Sequence, residues 1–198
     1  MEATLAFADG RVFRGRAFGA AGERVGEVVF NTSMTGYQEI LSDPSYCGQI
    51  VVMTAPEIGN VGTNAADTES GAPQVEGLVV RQLSSAPSNW RSTQALHEYL
   101  TEHEIPGIAE VDTRAITRHL RMRGVLNGVV SCVRSDAEDL VRAARESPAP
   151  GSLDLVRRVT CAAPYPWDDS CEPNRAAPVD APPDRPRSAA PVRIDQPR

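Results

Sequence analysis

The chain has 198 residues, of which 41% are hydrophobic, and a net charge of −6. That is enough apolar material for one core, and no apolar run approaches the roughly 20 residues of a membrane-spanning helix. The acidic balance argues against a general nucleic-acid binder, and an all-arginine set of 20 basic residues excludes lysine-based chemistry such as a Schiff base or a P-loop.

The first predicted elements form a hairpin, with Leu5-Ala6-Phe7 and Val12-Phe13-Arg14 flanking the turn pair Asp9-Gly10. Gly26 to Phe30 reads as a strand with β-branched residues at its centre. Thr35-Gly36-Tyr37-Gln38 has capping-box spacing, and Pro44 ends the short helix near Ser42. Residues 49–54 are a continuous apolar run of strand length, expected to be buried on both faces. A long polar loop over residues 55–73 follows, then a strand over 75–80. Leu96, Tyr99, Leu100 and His103 recur at helical spacing and predict a helix over 93–103. Residues 108–111 read as a strand. Asp112 caps a helix running to Arg123, with Gly124 at its left-handed C-terminal cap. Residues 129–133 form a last strand, and Ser135 with Glu138 makes a second capping box, for a helix that stops before Pro148. The tail from Glu172 onward is rich in Pro, Ala and Arg and too poor in large apolar groups to fold, so disorder is expected there. Short helices after a strand-rich first third imply a mixed, β-rich α/β domain.

The four cysteines, Cys47, Cys132, Cys161 and Cys171, form no C-x-x-C pair, so neither a metal site nor a redox centre is expected. Cys132 lies in an apolar setting and reads as a structural thiol. His97, His103 and His119 all fall on predicted helices and read as residues of helix faces or ends. Arg114, Arg118 and Arg121 share one helix face. That face is either solvated and favoured by the helix dipole or a docking surface for an acidic patch. The N-terminus shows no secretory signal, which places the protein in the cytoplasm.

Residues 25–46 read Val-Gly-Glu-Val-Val-Phe-Asn-Thr-Ser-Met-Thr-Gly-Tyr-Gln-Glu-Ile-Leu-Ser-Asp-Pro-Ser-Tyr. This block resembles the signature of the small subunit of glutamine-dependent carbamoyl phosphate synthetase. Ile58-Gly59-Asn60-Val61-Gly62-Thr63-Asn64 and Asp112-Thr113-Arg114, with Leu120, Gly124 and Asn127-Gly128, resemble two further blocks of that family, in the same order. The resemblance extends over about residues 1–170 and implies a layered β/β/α domain of the swivelling type, with residues 171–198 as a separate disordered tail. It implies the N-terminal part of a subunit that supplies ammonia from glutamine to a large subunit, for carbamoyl phosphate synthesis in arginine and pyrimidine biosynthesis. The large subunit is then the partner, and ATP and a divalent metal belong to it; no cofactor is expected on this chain. In the family, the turn matching Asp43-Pro44-Ser45-Tyr46 places a serine against bound glutamine, which makes Ser45 the candidate glutamine-binding residue. Its hydroxyl and the turn's N–H groups suit a carboxylate or amide.

The family's amidotransferase nucleophile sits in a G-x-C-x-G elbow. No cysteine here has that context; Cys47 lies in Tyr46-Cys47-Gly48. No catalytic residue is therefore expected in this chain, and glutamine becomes a ligand when a glutaminase domain is supplied. The loss of resemblance near Ser170 suggests a truncated small subunit, inactive by itself. The alternative is a non-catalytic interaction module that docks on the large subunit.

Overall fold

Strand residues of alternating destination organise this chain. The computed structural model describes residues 1–148 and 150–161. Among the described residues, nine strands and five α-helices run in the order β1 (Glu2–Phe7), β2 (Val12–Gly19), β3 (Glu23–Asn31), α1 (Tyr37–Ser42), β4 (Gln49–Met53), β5 (Glu57–Ile58), β6 (Gly77–Val79), β7 (Gln82–Leu83), α2 (Leu96–Glu102), β8 (Pro106–Ala109), α3 (Thr113–Arg123), β9 (Asn127–Ser131), α4 (Ala137–Glu146) and α5 (Leu155–Val159). Seven strands close into a barrel in the order β1-β2-β8-β6-β4-β3-β9, and β9 pairs back onto β1. Closure leaves no long unpaired edge. β3, β4, β6 and β8 are mutually parallel, while β1, β2 and β9 join them by antiparallel pairing. β5 and β7 form a small separate parallel pair.

Successive strand residues point to opposite sheet faces. Leu5, Phe7, Val28, Ile50, Val52, Val79, Ile108 and Val130 fill one continuous cluster inside the ring, joined by Ile116 and Leu120 of α3. The alternate residues Val51, Met53, Leu78 and Ala109 face outward and are covered by α1 and α2 through Ile40, Leu41, Leu96 and Leu100. On the far side, Ala6 and Val129 meet Leu140, Val141 and Ala144 of α4. The run at residues 49–54 is thus buried on both faces, as its unbroken apolar character predicts; Ile50 through Met53 have no exposed surface.

The mixed, strand-rich α/β architecture agrees with the sequence, and several boundaries differ for local reasons. α1 starts from Gly36 in the left-handed region at φ 77, without a side-chain cap. Thr35 and Gln38 therefore make no capping box. At α4 the cap is Asp136, which accepts from the Asp139 N–H, and not Ser135. α2 begins at Leu96 because Thr93 and Gln94 are tied to Thr63 by backbone hydrogen bonds before the helix can start. β8 ends at Ala109, since Glu110 turns to φ 66. α3 runs over the expected residues, with Asp112 accepting from the Ala115 N–H and the Gly124 N–H reaching the Leu120 carbonyl, but Gly124 at φ 80 and ψ −149 has a positive φ without the left-handed helical conformation expected of it. The boundary near residue 170 and the tail beyond it lie outside the described residues.

Candidate functional site

α1 crosses from the end of β3 to the start of β4 and pins the polar loop at 59–75. Gln38, 4% exposed, is the main pin. Its Oε1 accepts from the Asn64 N–H at 2.9 Å, and its Nε2 donates to the Asn64 carbonyl at 2.5 Å and to Thr68 Oγ1 at 3.0 Å. It pairs with Asn64 as a neighbouring strand would. Tyr37 donates its hydroxyl to the Gly62 carbonyl at 2.7 Å. Burial pushes that phenol up to about 12. Ser42 Oγ accepts from the Glu69 N–H at 2.9 Å, and the Ser42 carbonyl accepts from Ser70 Oγ at 2.6 Å. Arg91 then links the next loop to the first through Asp67 at 2.7 Å, and Asp67 is itself bonded to Asn64 at 2.8 Å.

The Ser45 turn hangs from the end of this helix as a short 3-10 segment, Pro44–Tyr46. Asp43 Oδ1 accepts from the Ser45 N–H at 2.8 Å, and the N–H groups of Tyr46 and Cys47 go to the carbonyls of Asp43 and Pro44. These N–H groups are occupied within the turn, so the Ser45 hydroxyl is the group it presents. Ser45 is exposed. The Tyr46 side chain packs on the α1/α2 core, and its hydroxyl accepts from Asn31 Nδ2 at 2.9 Å. Asn31 Oδ1 accepts from the Ser33 N–H at 2.7 Å. One amide at the end of β3 therefore fastens both the 31–36 loop and the Ser45 turn. The bond between Asn31 and Tyr46 escapes a sequence reading because β3 and the turn meet only after the α1 crossover. Gln38 was visible, but its spacing from Thr35 imitated a helix cap.

Glu39 lies in the same region, half-buried. Desolvation raises its carboxyl above the ordinary range, helped by the charges of Asp67 and Glu69 and opposed by Arg91. Two residues beyond Ser45, buried Cys47 lines a cleft of ≈ 440 Å³ whose walls include Glu27, Gln49, Glu76, Asn127 and Arg158. No histidine is among its lining residues. His97 Nδ1 accepts from the Gly19 N–H at 2.7 Å, and His103 stacks edge-on against Tyr99 at 4.7 Å. His119 Nε2 lies 2.8 Å from Asp9 Oδ2, off hydrogen-bonding direction, with its ring against Phe7. Each histidine thus serves a structural contact. Cys132 points to the Gly107 carbonyl at 3.7 Å, and burial pushes its thiol up. Cys161 is exposed, and Cys171 lies outside the described residues. Among the described residues no group of three or more His, Cys, Asp or Glu could hold a metal ion. No described helix is long and apolar enough to cross a membrane.

Residues 5–130, which include the entire Asn31–Tyr46–Ser45 arrangement, match the profile of the family described as "Carbamoyl-phosphate synthase small chain, CPSase domain". The chain is 56% identical over 169 residues to the carbamoyl phosphate synthase small chain of Syntrophotalea carbinolica, covering 85% of this chain and 45% of the relative. It is 53% identical to that of Nostoc sp., over 85% of this chain and 44% of the relative. The chloroplastic small chain of Oryza sativa subsp. japonica is 52% identical over 86% of this chain and 38% of its own length. The chain spans less than half the length of each of these relatives.

Proposed function

The chain belongs to the carbamoyl-phosphate synthase small-chain family, and from that premise we propose that it acts as the N-terminal part of the glutamine-hydrolysing subunit of the synthetase. In this reading it docks on a large subunit that binds ATP and divalent metal. It contributes a lip to a glutamine site while supplying no bond-making group. The enzyme would be a ligase forming carbamoyl phosphate for arginine and pyrimidine biosynthesis, in the cytoplasm or, as the name of the rice relative indicates for that protein, in a plastid. The closed strand ring with helices on two sides suits a layered domain of the swivelling type, which we adopt as its finer class.

The observation that carries the site reading is the Ser45 turn. Its backbone N–H groups are occupied internally, Asn31 holds it through Tyr46, and a single exposed hydroxyl is left to offer. A hydroxyl on a turn fixed in this way can accept from a substrate amide or ammonium, or donate to its carboxylate, at the ordering cost of a single short side chain. Among the described residues no thiol is hydrogen-bonded to a histidine, the pairing that activates a cysteine nucleophile.

The test is carbamoyl phosphate formation by the chain mixed with its cognate large subunit, with ammonia and with glutamine as separate nitrogen sources. Synthesis from ammonia and none from glutamine is expected. Synthesis from glutamine with these two components alone would overturn the non-catalytic assignment, and Cys47 would be the first residue to replace. In the assembled synthetase with a glutaminase domain, Ser45→Ala should raise KM for glutamine about tenfold, the cost of one hydrogen bond to a charged group. The ammonia-dependent rate should be unchanged; equal KM values would remove Ser45 from the site.

A further inference from the structure

α5 is a short helix with both ends closed and one side bare. It has five residues, Leu155–Val159. Asp154 accepts from the Arg157 N–H at 3.1 Å, and the Thr160 N–H and hydroxyl both go to the Val156 carbonyl. At 3.6 residues per turn, Leu155, Val159 and Val156 follow one another round an arc of about 100°. Leu155 enters the cleft beside Cys47, its methyls 3.5 Å from where a Cβ on Gly48 would stand, and Arg158 lies 3.7 Å from Glu76. These two side chains dock the helix. The rest of the arc turns away: Val156 is 73% exposed, Val159 37% and Leu153, just before the helix, 44%.

Five residues lie far below the roughly 12–15 at which an isolated helix becomes even marginal in water, so α5 depends on what packs against it. One half-buried leucine and one ion pair at an exposed arginine supply little of that. Among the described residues nothing covers Val156. From this helix the chain continues into Pro164-Tyr165-Pro166-Trp167-Asp168-Asp169, and Tyr165 and Trp167 are the last aromatic residues of the sequence. The distance along the chain from Val159 to Trp167 gives a reach of up to about 26 Å, against about 8 Å for the length of α5. Each proline disfavours helical backbone at the residue before it, and in an extended chain Tyr165 and Trp167 fall on one side. Asp168 and Asp169 complement Arg157 and Arg158 in charge. The 85% of this chain matched by the Syntrophotalea carbinolica relative extends through Trp167 wherever the match begins, so the segment belongs to what the two chains share.

We propose that residues 164–167 of this same chain cover the bare face, with Tyr165 and Trp167 against Leu153, Val156 and Val159, and with Asp168 and Asp169 turned to Arg157 and Arg158. The segment then acts as a strap that holds α5 on the barrel and closes the outer rim of the Cys47 cleft, whose wall includes Leu153 and Leu155. Two aromatic side chains bring the apolar area that the helix lacks. The short tether makes the contact intramolecular, so it forms at a high effective concentration and at little further cost in entropy. The assignment is independent of the function proposed above.

The experiment uses the full chain, whose two tryptophans are Trp90 and Trp167. Trp90 is 83% exposed, so Trp90→Phe should leave the fold intact and make Trp167 the one reporter. In that chain Trp167 should emit at shorter wavelength than in urea, and acrylamide should quench it severalfold less than in urea. Val156→Asp/Val159→Asp should return both readings most of the way to their urea values. Val156→Ser alone, at a position with little burial to lose, should return them part of the way with the urea midpoint of the barrel unchanged. Met34→Asp/Val133→Asp, at positions 78% and 63% exposed elsewhere on the surface, should leave them as they were. Native Trp167 quenched as readily as in urea would overturn the proposal, and so would protection that the α5 variants leave intact. Protection that fades on dilution would place the contact between two copies of the chain and overturn it as well.

Discussion

Replacing Gln38 separates two readings of the same residue. If Gln38 served a helix cap with Thr35, its loss would cost about 1 kcal/mol, confined to α1. In the structure Gln38 instead satisfies both backbone groups of Asn64, a residue only 9% exposed, and also reaches Thr68. Gln38→Ala strands a buried N–H and a buried carbonyl, each at about 1–3 kcal/mol. Partial entry of water into the vacated volume recovers some of this, so about 2–4 kcal/mol is expected from urea denaturation. Amide exchange should accelerate across residues 62–70, which α1 holds, before it does so in β4. Thr35→Ala supplies the complement: Thr35 is exposed and makes no cap bond, so its removal should stay within about 0.5 kcal/mol. A Gln38→Ala cost below about 1 kcal/mol, unchanged exchange at 62–70 and a comparable cost for Thr35→Ala would together refute the clamp and restore the cap.

Two carboxylates should titrate stability in opposite directions. Glu23 is held below its ordinary value of 4.5, first by its hydrogen bonds to Arg134, so its contribution is present above that value and is lost as pH falls through the lowered pKa. Glu23→Gln should therefore melt below wild type at neutral pH and approach it in acid. Glu39 is raised, chiefly by desolvation, so the folded state holds its proton more tightly and loses stability as pH climbs from 4.5 through the raised pKa. Glu39→Gln should melt above wild type at neutral pH and converge with it in acid; Tm against pH for both variants tests the signs. At the β2–β8 seam, a Cβ on Gly15 would lie 2.1 Å from the Ala109 carbonyl oxygen and 2.8 Å from Val111 Cγ1. Gly15→Ala should destabilise by at least about 1–3 kcal/mol through this overpacking, while Gly22→Ala, which meets nothing within 4 Å, should change Tm little.

What the sequence alone determined was local. Ile50 to Met53, at the centre of residues 49–54, advertised burial on both faces because all four are apolar, and the ends of α3 were legible because Asp112 and Gly124 act on atoms three or four residues away. The signature block around residues 25–46 likewise identified the family, since an ordered run of residues needs no coordinates to be compared. Tertiary structure decided what lies far apart in the chain. Ring closure of β9 onto β1, the Gln38–Asn64 clamp and the Asn31–Tyr46 bond join residues whose partners no periodicity specifies. Gln38 shows why: an amide can satisfy a local N–H or a loop 26 residues on, at comparable energy per bond, and only burial of Asn64 beside α1 makes the second the better bargain. Arg114, Arg118 and Arg121 of α3 were readable as one face from spacing, but that they meet no carboxylate among the described residues became visible only with the neighbouring elements in place.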